Sequence, residues 1–420
     1  MNLSKTIRIL TKRMARVIGA QVDALLERRP GFASALARYG FLIFAALAGL
    51  FVAAGAATPE GRGQQIVYAS SDGGIYSVPP EGGERTVVYD PKERGGFAAS
   101  PLLNGGSRSL SFTVFRESEG NIRGDLYGAD LVRGTNALIQ TADPGEALVY
   151  GGYSYDRAWL MAEHFSEAVP PNVAVLTASG ASRRYMEPDS EGEGVLPILG
   201  AAWTAQNSLY AWLPGPRGAG NDAASSTNSL TAYDFFERRQ AVVYRTENRV
   251  GRVSYNFDSN TAVFDERPVG AGFEDSRLTA LAGTAEMPVS GADGLGVYDP
   301  SLPVSNLDYR MAVLWTDGQR TGVGLFDPAN WTFEKTAATV EAGSRYPQIS
   351  YDGTYVTTLD EGQSVLTVRS LDDGRVVNRI RDVQPNATAI EMMRESGLDV
   401  PRSAEWTAPA PYSWRSFAGS

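Results

Sequence analysis

The side chains able to carry out chemistry are few, and one histidine comes first among them. His164 follows Glu163 and is the only imidazole in 420 residues, so it alone could be the base of a catalytic triad. The absence of Cys excludes disulfides, thiolate zinc sites, iron–sulfur clusters and cysteine nucleophiles. No Gly-x-Ser-x-Gly elbow accompanies the histidine. The sequence therefore favours an ordinary histidine of a loop or sheet edge over a general base.

Acidic side chains offer the remaining chemistry, because 46 Asp and Glu residues follow residue 57. Segments 189–193 and 372–374 could bind Ca²⁺ through hard oxygen ligands, although neither has the spacing of an EF-hand loop. Ser70, Asp72 and Gly74 resemble part of a sialidase Asp-box. Solvated acidic turns explain all three segments more simply. No catalytic, cofactor-binding or metal-binding residue is predicted, and Ca²⁺ is the one ion left open.

These residues follow an uncharged apolar segment, 39–57. Nineteen residues of helix span about 28 Å, close to the hydrocarbon thickness of a bilayer. The segment is predicted to be an uncleaved transmembrane signal anchor. The alternative is a cleaved signal peptide, because Ala54, Gly55 and Ala56 offer a small-residue cleavage site.

The charge of the chain is divided at this apolar segment. Residues 1–57 hold eight basic and two acidic residues, a net charge of +6, and residues 58–420 hold 30 basic and 46 acidic residues, a net charge of −16. Basic flanks stay in the cytoplasm. The sequence therefore predicts a single-pass protein of the cytoplasmic (inner) membrane, with its long acidic part in the periplasm or extracellular space. The net negative charge argues against a nucleic-acid binder.

Residues 1–30 show an apolar residue every three or four positions, which is typical of an amphipathic helix. Its other surface carries the predicted membrane-surface residues Lys5, Arg8, Lys12, Arg13 and Arg16. Such a helix beside a membrane is expected to lie on anionic headgroups. The alternatives are a coiled-coil or partner-binding helix, and a segment that only sets the membrane topology.

Residues 58–420, the outer part of the chain, are predicted to be all-β, because short apolar runs alternate with Gly, Pro, Asp and Asn turns. Predicted strands include 66–70, 75–78, 110–115, 173–177, 311–316, 323–326 and 365–371. A Ser, Thr or Asn recurs about every 50 residues, usually after a large apolar residue. The members of this series are Asn104, Ser154, Thr204, Asn256, Asn306, Ser350 and Thr407. In four cases an Asp stands two residues later, a pattern that suits a tight turn.

A repeat of about 50 residues with four short strands is typical of a propeller blade. In segment 344–382 the four strands are predicted at 345–350, 354–359, 364–371 and 375–381. Segment 402–407 is predicted to supply the inner strand missing from the first blade and so to close the ring. The predicted fold is an all-β, seven-bladed β-propeller over residues 62–417, with six or eight blades as the alternatives.

Residues 347–353, Pro-Gln-Ile-Ser-Tyr-Asp-Gly, resemble the Ser-Pro-Asp-Gly-type turn of TolB-like and WD-repeat-like β-propellers. Segments 154–157, 306–309 and 405–409 are degenerate versions of the same motif. The resemblance implies the fold over most of the outer part. TolB-like members bind proteins or flank a hydrolase, and no site residue of that family maps onto this chain.

Three segments are the predicted partner surface, since loops on a rigid ring usually carry its binding function: 213–230, 264–300 and a short helix at 387–396 that protrudes between the last two inner strands. The first hypothesis is a membrane-anchored, non-enzymatic propeller that binds a protein or an envelope polymer. Its acidic charge favours a basic or cation-bridged partner. The alternative is an extracytoplasmic hydrolase with paired carboxylates at the propeller channel. A third is a subunit of a larger membrane complex that signals inward through the basic tail.

Overall fold

The computed structural model describes residues 63–415 except 104–108, 119, 155, 157, 179, 181–182, 187–197, 205–207, 214–226, 236, 238 and 302–309. The predicted amphipathic helix 1–30, its five basic residues and the apolar segment 39–57 lie outside the described residues. Among the residues that are described, no helix has both the length and the apolar character needed to cross a membrane.

The described strands form six sheets, which we divide into seven units of neighbouring antiparallel strands. Unit I contains β1 (Gln65–Ala69), β2 (Ile75–Val78) and β3 (Thr86–Tyr89), and a short helix α1 (Pro91–Arg94) leads to unit II. Unit II contains β4 (Phe97–Leu103), β5 (Ser109–Ser118), β6 (Asn121–Asp130) and β7 (Thr135–Gln140). Unit III contains β8 (Glu146–Tyr153), β9 (Trp159–Ser166), β10 (Asn172–Thr177) and β11 (Arg183–Tyr185). Units II and III share one eight-stranded sheet through a short parallel contact between β6 and β8.

The second half of the chain repeats the same order of strands. Unit IV contains β12 (Leu199–Trp203), β13 (Leu209–Leu213), β14 (Asn228–Asp234) and β15 (Arg239–Thr246). Unit V has a divided inner strand, β16 (Arg249–Val250) and β17 (Ser254–Asn256), then β18 (Thr261–Arg267), a 3₁₀ turn (Phe273–Asp275), β19 (Arg277–Ala282) and β20 (Ala285–Met287). Unit VI contains β21 (Gly296–Tyr298), β22 (Met311–Thr316), β23 (Thr321–Asp327) and β24 (Thr332–Val340). Unit VII contains β25 (Ser344–Ile349), β26 (Tyr355–Asp360), β27 (Val365–Ser370) and β28 (Val376–Ile380).

The seven strands named in the sequence analysis are all confirmed, with ends shifted by at most three residues. The four strands predicted for 344–382 are also confirmed. Local pattern suffices here because each sheet buries both faces against its neighbours, so apolar runs and turn residues alone mark the strands.

The core lies between successive units. Val67 of unit I packs with Phe112 of unit II, and at the junction of units IV and V the rings of Trp212 and Phe264 meet edge to face at 5.0 Å. Further apolar clusters join the remaining neighbours in chain order, and one joins unit VII back to unit I. The units therefore form a closed ring.

The ring is closed by a C-terminal strand, as predicted, but the predicted residues were wrong. Strand β29 (Tyr412–Arg415) pairs with β1, with Trp414 opposite Ile66. Segment 402–407 instead contains helix α3 (Ala404–Thr407). Pro409 and Pro411 have no amide hydrogen for a strand ladder, so regular pairing begins only at Tyr412.

The turn residues of the repeat occupy equivalent places. Ser154, Thr204 and Ser350 directly follow inner strands, and Asn256 ends one. Asn104 and Asn306 lie outside the described residues, and Thr407 is helical. The side chain of Ser350 accepts hydrogen bonds from the amides of residues 354 and 355 and donates to Asp352, which explains the recurring Ser-x-Asp pattern.

The inner strands share a second repeat that sequence reasoning missed. One residue in each of five inner-strand segments has a positive φ between 54° and 60°: Ser100, Tyr150, Gly200, Asp299 and Tyr346. At four of these positions the strand register shifts, as expected of a β-bulge. Four of the five stand four residues before a turn residue of the 50-residue series. Each bulge interrupts the regular alternation of side chains along its inner strand.

The segment between unit VII and β29 lies across the inner strands. Helix α2 (Asn386–Glu395) confirms the predicted short helix, but the expectation that it protrudes was wrong. Its residues Ala389, Ile390 and Met393 are buried in one cluster with inner-strand residues of units II, III and IV. An apolar stripe on a short helix is more stable against a core than in water. We call residues 381–411 the cover segment.

The other two predicted loops fare differently. Segment 264–300 was predicted as a loop of the partner surface, yet it contains β19, β20 and β21 together with the end of β18. Its many glycines serve turns between short strands, such as Gly283 with φ 66°. Most of segment 213–230 lies outside the described residues.

Candidate functional site

Charged residues meet at a small cavity where units V, VI and VII approach helix α3. The cavity measures about 20 Å³. We call its five charged residues the charged pocket: Arg249, Arg267, Arg345, Asp265 and Asp299. They come from β16, β18, β25 and the residue after β21, which only the closed ring brings together. None of them was singled out as a site residue, although Asp265, Arg267 and Asp299 lie in segment 264–300, one of the three segments of the predicted partner surface.

Strand alternation selects which side chains of β18 face the cavity. Asp265 and Arg267 point to it, while Glu266 between them points away, because successive side chains of a strand alternate between its faces. Gly251 makes room for the carboxylate, since a Cβ there would stand 2.2 Å from Oδ1 of Asp265.

Two of the arginines are held against aromatic rings. The guanidinium carbon of Arg249 lies 2.9 Å from the ring centre of Trp406, and that of Arg267 lies 4.0 Å from the ring centre of Phe273. Such stacking fixes the guanidinium plane and leaves its N–H edge available. No carboxylate among the described residues forms an ion pair with Arg249 or Arg267.

The crowding of like charges is visible in the pKa values. Burial, followed by repulsion from Arg267 and Arg345, lowers the pKa of Arg249 to about 10. Burial also lowers the pKa of Arg267. Both groups remain charged at neutral pH, so they gain by meeting an anion.

The third arginine already has its anion. Nε of Arg345 donates to Oδ2 of Asp299 at 2.9 Å, and the amide of Tyr346 donates to the same oxygen at 2.6 Å. Burial opposes the charge of Arg345, but the carboxylate of Asp299 outweighs burial and raises the pKa of Arg345. This pair shows that a carboxylate fits the guanidinium geometry of the pocket.

Asp265 is the carboxylate of the pocket with the fewest donors. Its Oδ1 accepts from the amide of Asp299 at 3.1 Å. Burial, followed by repulsion from the carboxylate of Asp299, raises the pKa of Asp265 to about 6. Asp265 can therefore hold or release a proton near neutral pH.

On the opposite face of β18, Glu266 is fully buried and saturated. Five side chains donate to it at 2.7–3.0 Å: Tyr244, Thr246, Asn248, Arg277 and Thr279. Burial alone would raise the pKa of Glu266, but these donors outweigh it and lower the pKa. Its role is to join units IV and V.

The predicted histidine lies elsewhere. His164 is within β9 and 2% exposed, so its interpretation as a loop or sheet-edge residue was wrong. Its Nε2 lies 3.3 Å from Oε2 of Glu146 on β8, and its ring packs against Tyr185. Strand β9 continues past His164 to Ser166, and Phe165 and Ser166 are buried as well. A side chain this buried does not reach a substrate from solvent.

The neighbouring carboxylate, Glu163, is structural too. Its Oε1 lies 3.1 Å from Nη1 of Arg252, which also donates to the carbonyl of Thr407 at 2.8 Å. The second guanidinium nitrogen donates to the carbonyl of Ala201. This buried pair joins units III, IV and V to the cover segment.

Where the structure describes them, the acidic segments considered for Ca²⁺ or an Asp-box form turns. Asp72 accepts from the amide of Gly74 at 2.9 Å and from the hydroxyl of Tyr76 at 2.7 Å, so the partial Asp-box is a turn. Asp373 pairs with Arg375 in the turn before β28. Segment 189–193 lies outside the described residues. In the described part of the chain, no three His, Asp or Glu side chains are grouped so that they could hold a metal ion.

The fold has many counterparts among solved structures. An oligogalacturonate lyase from Vibrio parahaemolyticus is 13% identical, with 76% of this chain and 85% of that chain covered and a TM-score of 0.51. The β-propeller domain of the Trilobed protease from Pyrococcus furiosus is 10% identical, with 76% and 95% covered and a TM-score of 0.51. TolB from Acinetobacter baumannii is 15% identical, with 78% and 66% covered and a TM-score of 0.43.

The chain folds as a β-propeller. The lyase and the protease domain thus confirm the predicted β-propeller fold. Identities this low show the fold alone. The sequence matches no protein-family profile and no curated protein.

Sequence reasoning missed the charged pocket of this propeller for a physical reason. Its arginines and aspartates are residue types that usually face solvent, and they lie between residues 249 and 345 without a shared motif. The usable signal was alternation in β18, where two opposite charges stand two residues apart on one face of an apolar strand.

Proposed function

We propose that the chain is a membrane-anchored, extracytoplasmic binding module that holds a protein or envelope-polymer partner and catalyses no reaction. In this proposal each of units I–VII is one blade of a seven-bladed propeller. Segment 39–57 is an uncleaved anchor in the cytoplasmic membrane, and the basic residues of segment 1–30 lie on its cytoplasmic surface.

The packing of the cover segment carries this proposal. It lies on the inner strands of three successive units, where Met393 is fully buried and Ile390 nearly so. The charged cavity beside it measures about 20 Å³, and a separate cavity of about 410 Å³ lies between α2 and the hairpin of β5 and β6. A propeller whose inner strands are covered in this way supports recognition on its surface rather than reaction in its channel.

The experiment is purification of the full-length chain from native membranes in mild detergent after cross-linking, with partners identified by mass spectrometry. The control is residues 1–57 fused to an unrelated soluble domain. We expect an envelope protein or polymer at stoichiometric amount with the full chain and not with the control. Recovery of the full chain alone, or of the same partner with both proteins, would contradict the proposal.

A second candidate function is hydrolysis by a carboxylate pair. One observation favours it: Asp265 has a pKa raised to about 6 and lies beside Asp299, a combination that suits a general acid next to a base. The substitutions Asp265→Asn and Asp299→Asn would each abolish hydrolysis of chromogenic glycosides by the full chain. Absence of hydrolysis by the unsubstituted protein would end this candidate, and the small cavity already favours binding.

A further inference from the structure

Two arginines of the charged pocket carry charge that the described residues leave unpaired. Arg249 and Arg267 each stack on a ring but form no ion pair with a carboxylate of the described residues, although residues 58–420 have a net charge of −16. In so acidic a domain, a carboxylate for each arginine would be easy to supply. Nε of Arg249 is also buried without a hydrogen-bond partner among the described residues. Buried donors normally have partners.

We propose that the charged pocket binds one carboxylate group from an acidic segment of a protein partner. The inference rests on the proposed binding function and names the chemistry of the partner. Arg249 and Arg267 are the residues that contact the bound carboxylate, and Trp406 and Phe273 hold their guanidinium planes.

The small size of the cavity indicates that only the end group of a ligand enters it, and not a whole ligand. A cavity of about 20 Å³ admits only the end of a ligand, so most of the ligand must lie outside, as it does when a side chain of a larger partner enters a pocket. A free sugar or nucleotide would have most of its surface exposed to solvent there.

The charge balance of the pocket favours a ligand group with a single negative charge. Three guanidinium groups face two carboxylates in the pocket, which leaves one positive charge when Asp265 is ionised. A planar carboxylate can accept two N–H bonds from the fork of an arginine. The pocket already holds one carboxylate, that of Asp299, at Nε of Arg345. A phosphate dianion would exceed the available charge and place its third oxygen near Asp265.

The pocket predicts a pH dependence of binding. Asp265 faces Asp299, Arg345 and Arg267, with Arg249 across the cavity. A bound carboxylate adds a second like charge near Asp265 and favours its protonated form, which can donate a hydrogen bond to the ligand. Binding should therefore strengthen as pH falls from about 7.5 to about 5.5, by roughly threefold to tenfold.

The test is fluorescence anisotropy of a labelled acetyl-hexa-aspartate amide on the full-length chain in detergent micelles. Ionic strength is held at about 0.15 M, so that long-range repulsion by the acidic domain is screened. The peptide with six asparagines is the neutral probe. We expect the acidic peptide to bind at least about tenfold tighter than the neutral one, as for a charge-assisted contact.

Variants locate the site. The double substitution Arg249→Gln and Arg267→Gln should weaken binding at least about tenfold. Arg249→Lys with Arg267→Lys should weaken it less, since the charge remains and the fork is lost. The matched control is Arg133→Gln, because Arg133 is 81% exposed beside Asp130 and should have no effect. Equal binding of both peptides, or unchanged binding by the glutamine variant, would overturn the inference.

Competition separates the sources of the anion. Acetate should displace the peptide at high concentration, and phosphate at the same charge concentration should displace it less. Stronger displacement by phosphate would overturn the assignment to a carboxylate. Urea unfolding of each variant distinguishes lost binding from lost folding. If the double glutamine variant does not fold, the single Arg267→Gln variant takes its place in the binding measurement. A partner captured equally by the unsubstituted and glutamine chains would leave the binding function standing and defeat the pocket assignment.

Discussion

Asp265 and Glu266 are consecutive carboxylates on β18 with opposite surroundings. Glu266 lies on the face toward unit IV, is fully buried and accepts from five side chains. Asp265 lies on the face toward the charged pocket and accepts from the amide of Asp299. The pKa of Glu266 is lowered, whereas that of Asp265 is raised to about 6.

The difference teaches that donors, rather than burial, set the role of a carboxylate here. Burial disfavours the charge of both groups, and only Glu266 has enough donors to outweigh it. A saturated carboxylate stabilises the fold, since each bond would be lost on unfolding. A carboxylate short of donors costs stability and is retained for another purpose, which is a mark of functional sites.

The largest expected effect comes from removing the saturated carboxylate. Glu266→Ala should lower the free energy of unfolding by about 3 kcal/mol, because it leaves several donors between units IV and V without an acceptor. The measurement is urea unfolding of the full chain followed by tryptophan fluorescence. Glu286→Ala is the matched control, since Glu286 is 45% exposed and pairs with the same Arg277. Equal losses for the two variants would break the comparison.

Removing the charge of Asp265 should act in the opposite direction. Its folded pKa, about 6, lies above its unfolded value, so this carboxyl group stabilises the fold fully below about pH 4. That contribution is lost as pH rises to about 6. Asp265→Asn should therefore stabilise the chain at neutral pH by about 1–3 kcal/mol.

The same substitution tests the pH range. The stability difference between Asp265→Asn and the unsubstituted chain should grow from about pH 4 to about pH 6 and stay constant above. For Glu266, with a pKa lowered from its ordinary value of 4.5, the stabilising contribution is instead present above about pH 4.5 and lost as pH falls. Urea unfolding at a series of pH values checks both. A difference independent of pH would show that Asp265 does not titrate as a buried carboxyl group.

Local sequence pattern predicted the turns of the repeat but not the charged pocket. Ser350 and Asp352 predicted the repeat because their hydrogen bonds are made within five residues, so chain pattern and structure coincide. Ring closure was predicted, but on 402–407 rather than on β29, because Pro409 and Pro411 delay regular pairing until Tyr412. The charged pocket depends on contacts between Arg249 and Trp406, which are remote along the chain. No local pattern encodes such a meeting.

A smaller effect is expected from a saturated hydroxyl group. Ser350 is fully buried, and its Oγ accepts from two amides and donates to Asp352. Ser350→Ala should cost about 1–2 kcal/mol of unfolding free energy. Ser154→Ala removes the equivalent turn bonds in unit III and should cost a similar amount. A loss at one position only would argue against equivalent turns in the repeat.

The smallest effect sharpens the comparison most. Ser100 is 3% exposed at a bulge of β4, and its Oγ has no hydrogen-bond partner among the described residues. Ser100→Ala keeps the backbone preference at φ 55° and removes only that hydroxyl group. Unfolding free energy should stay within about 0.5 kcal/mol of the original value or rise slightly, because no bond is lost and a buried polar atom is removed. Urea unfolding of Ser100→Ala beside Ser350→Ala compares two buried serines that differ in their partners. If both cost the same, hydrogen-bond partners would not distinguish structural from unsatisfied polar groups in this propeller, and the contrast between Asp265 and Glu266 would lose its physical basis.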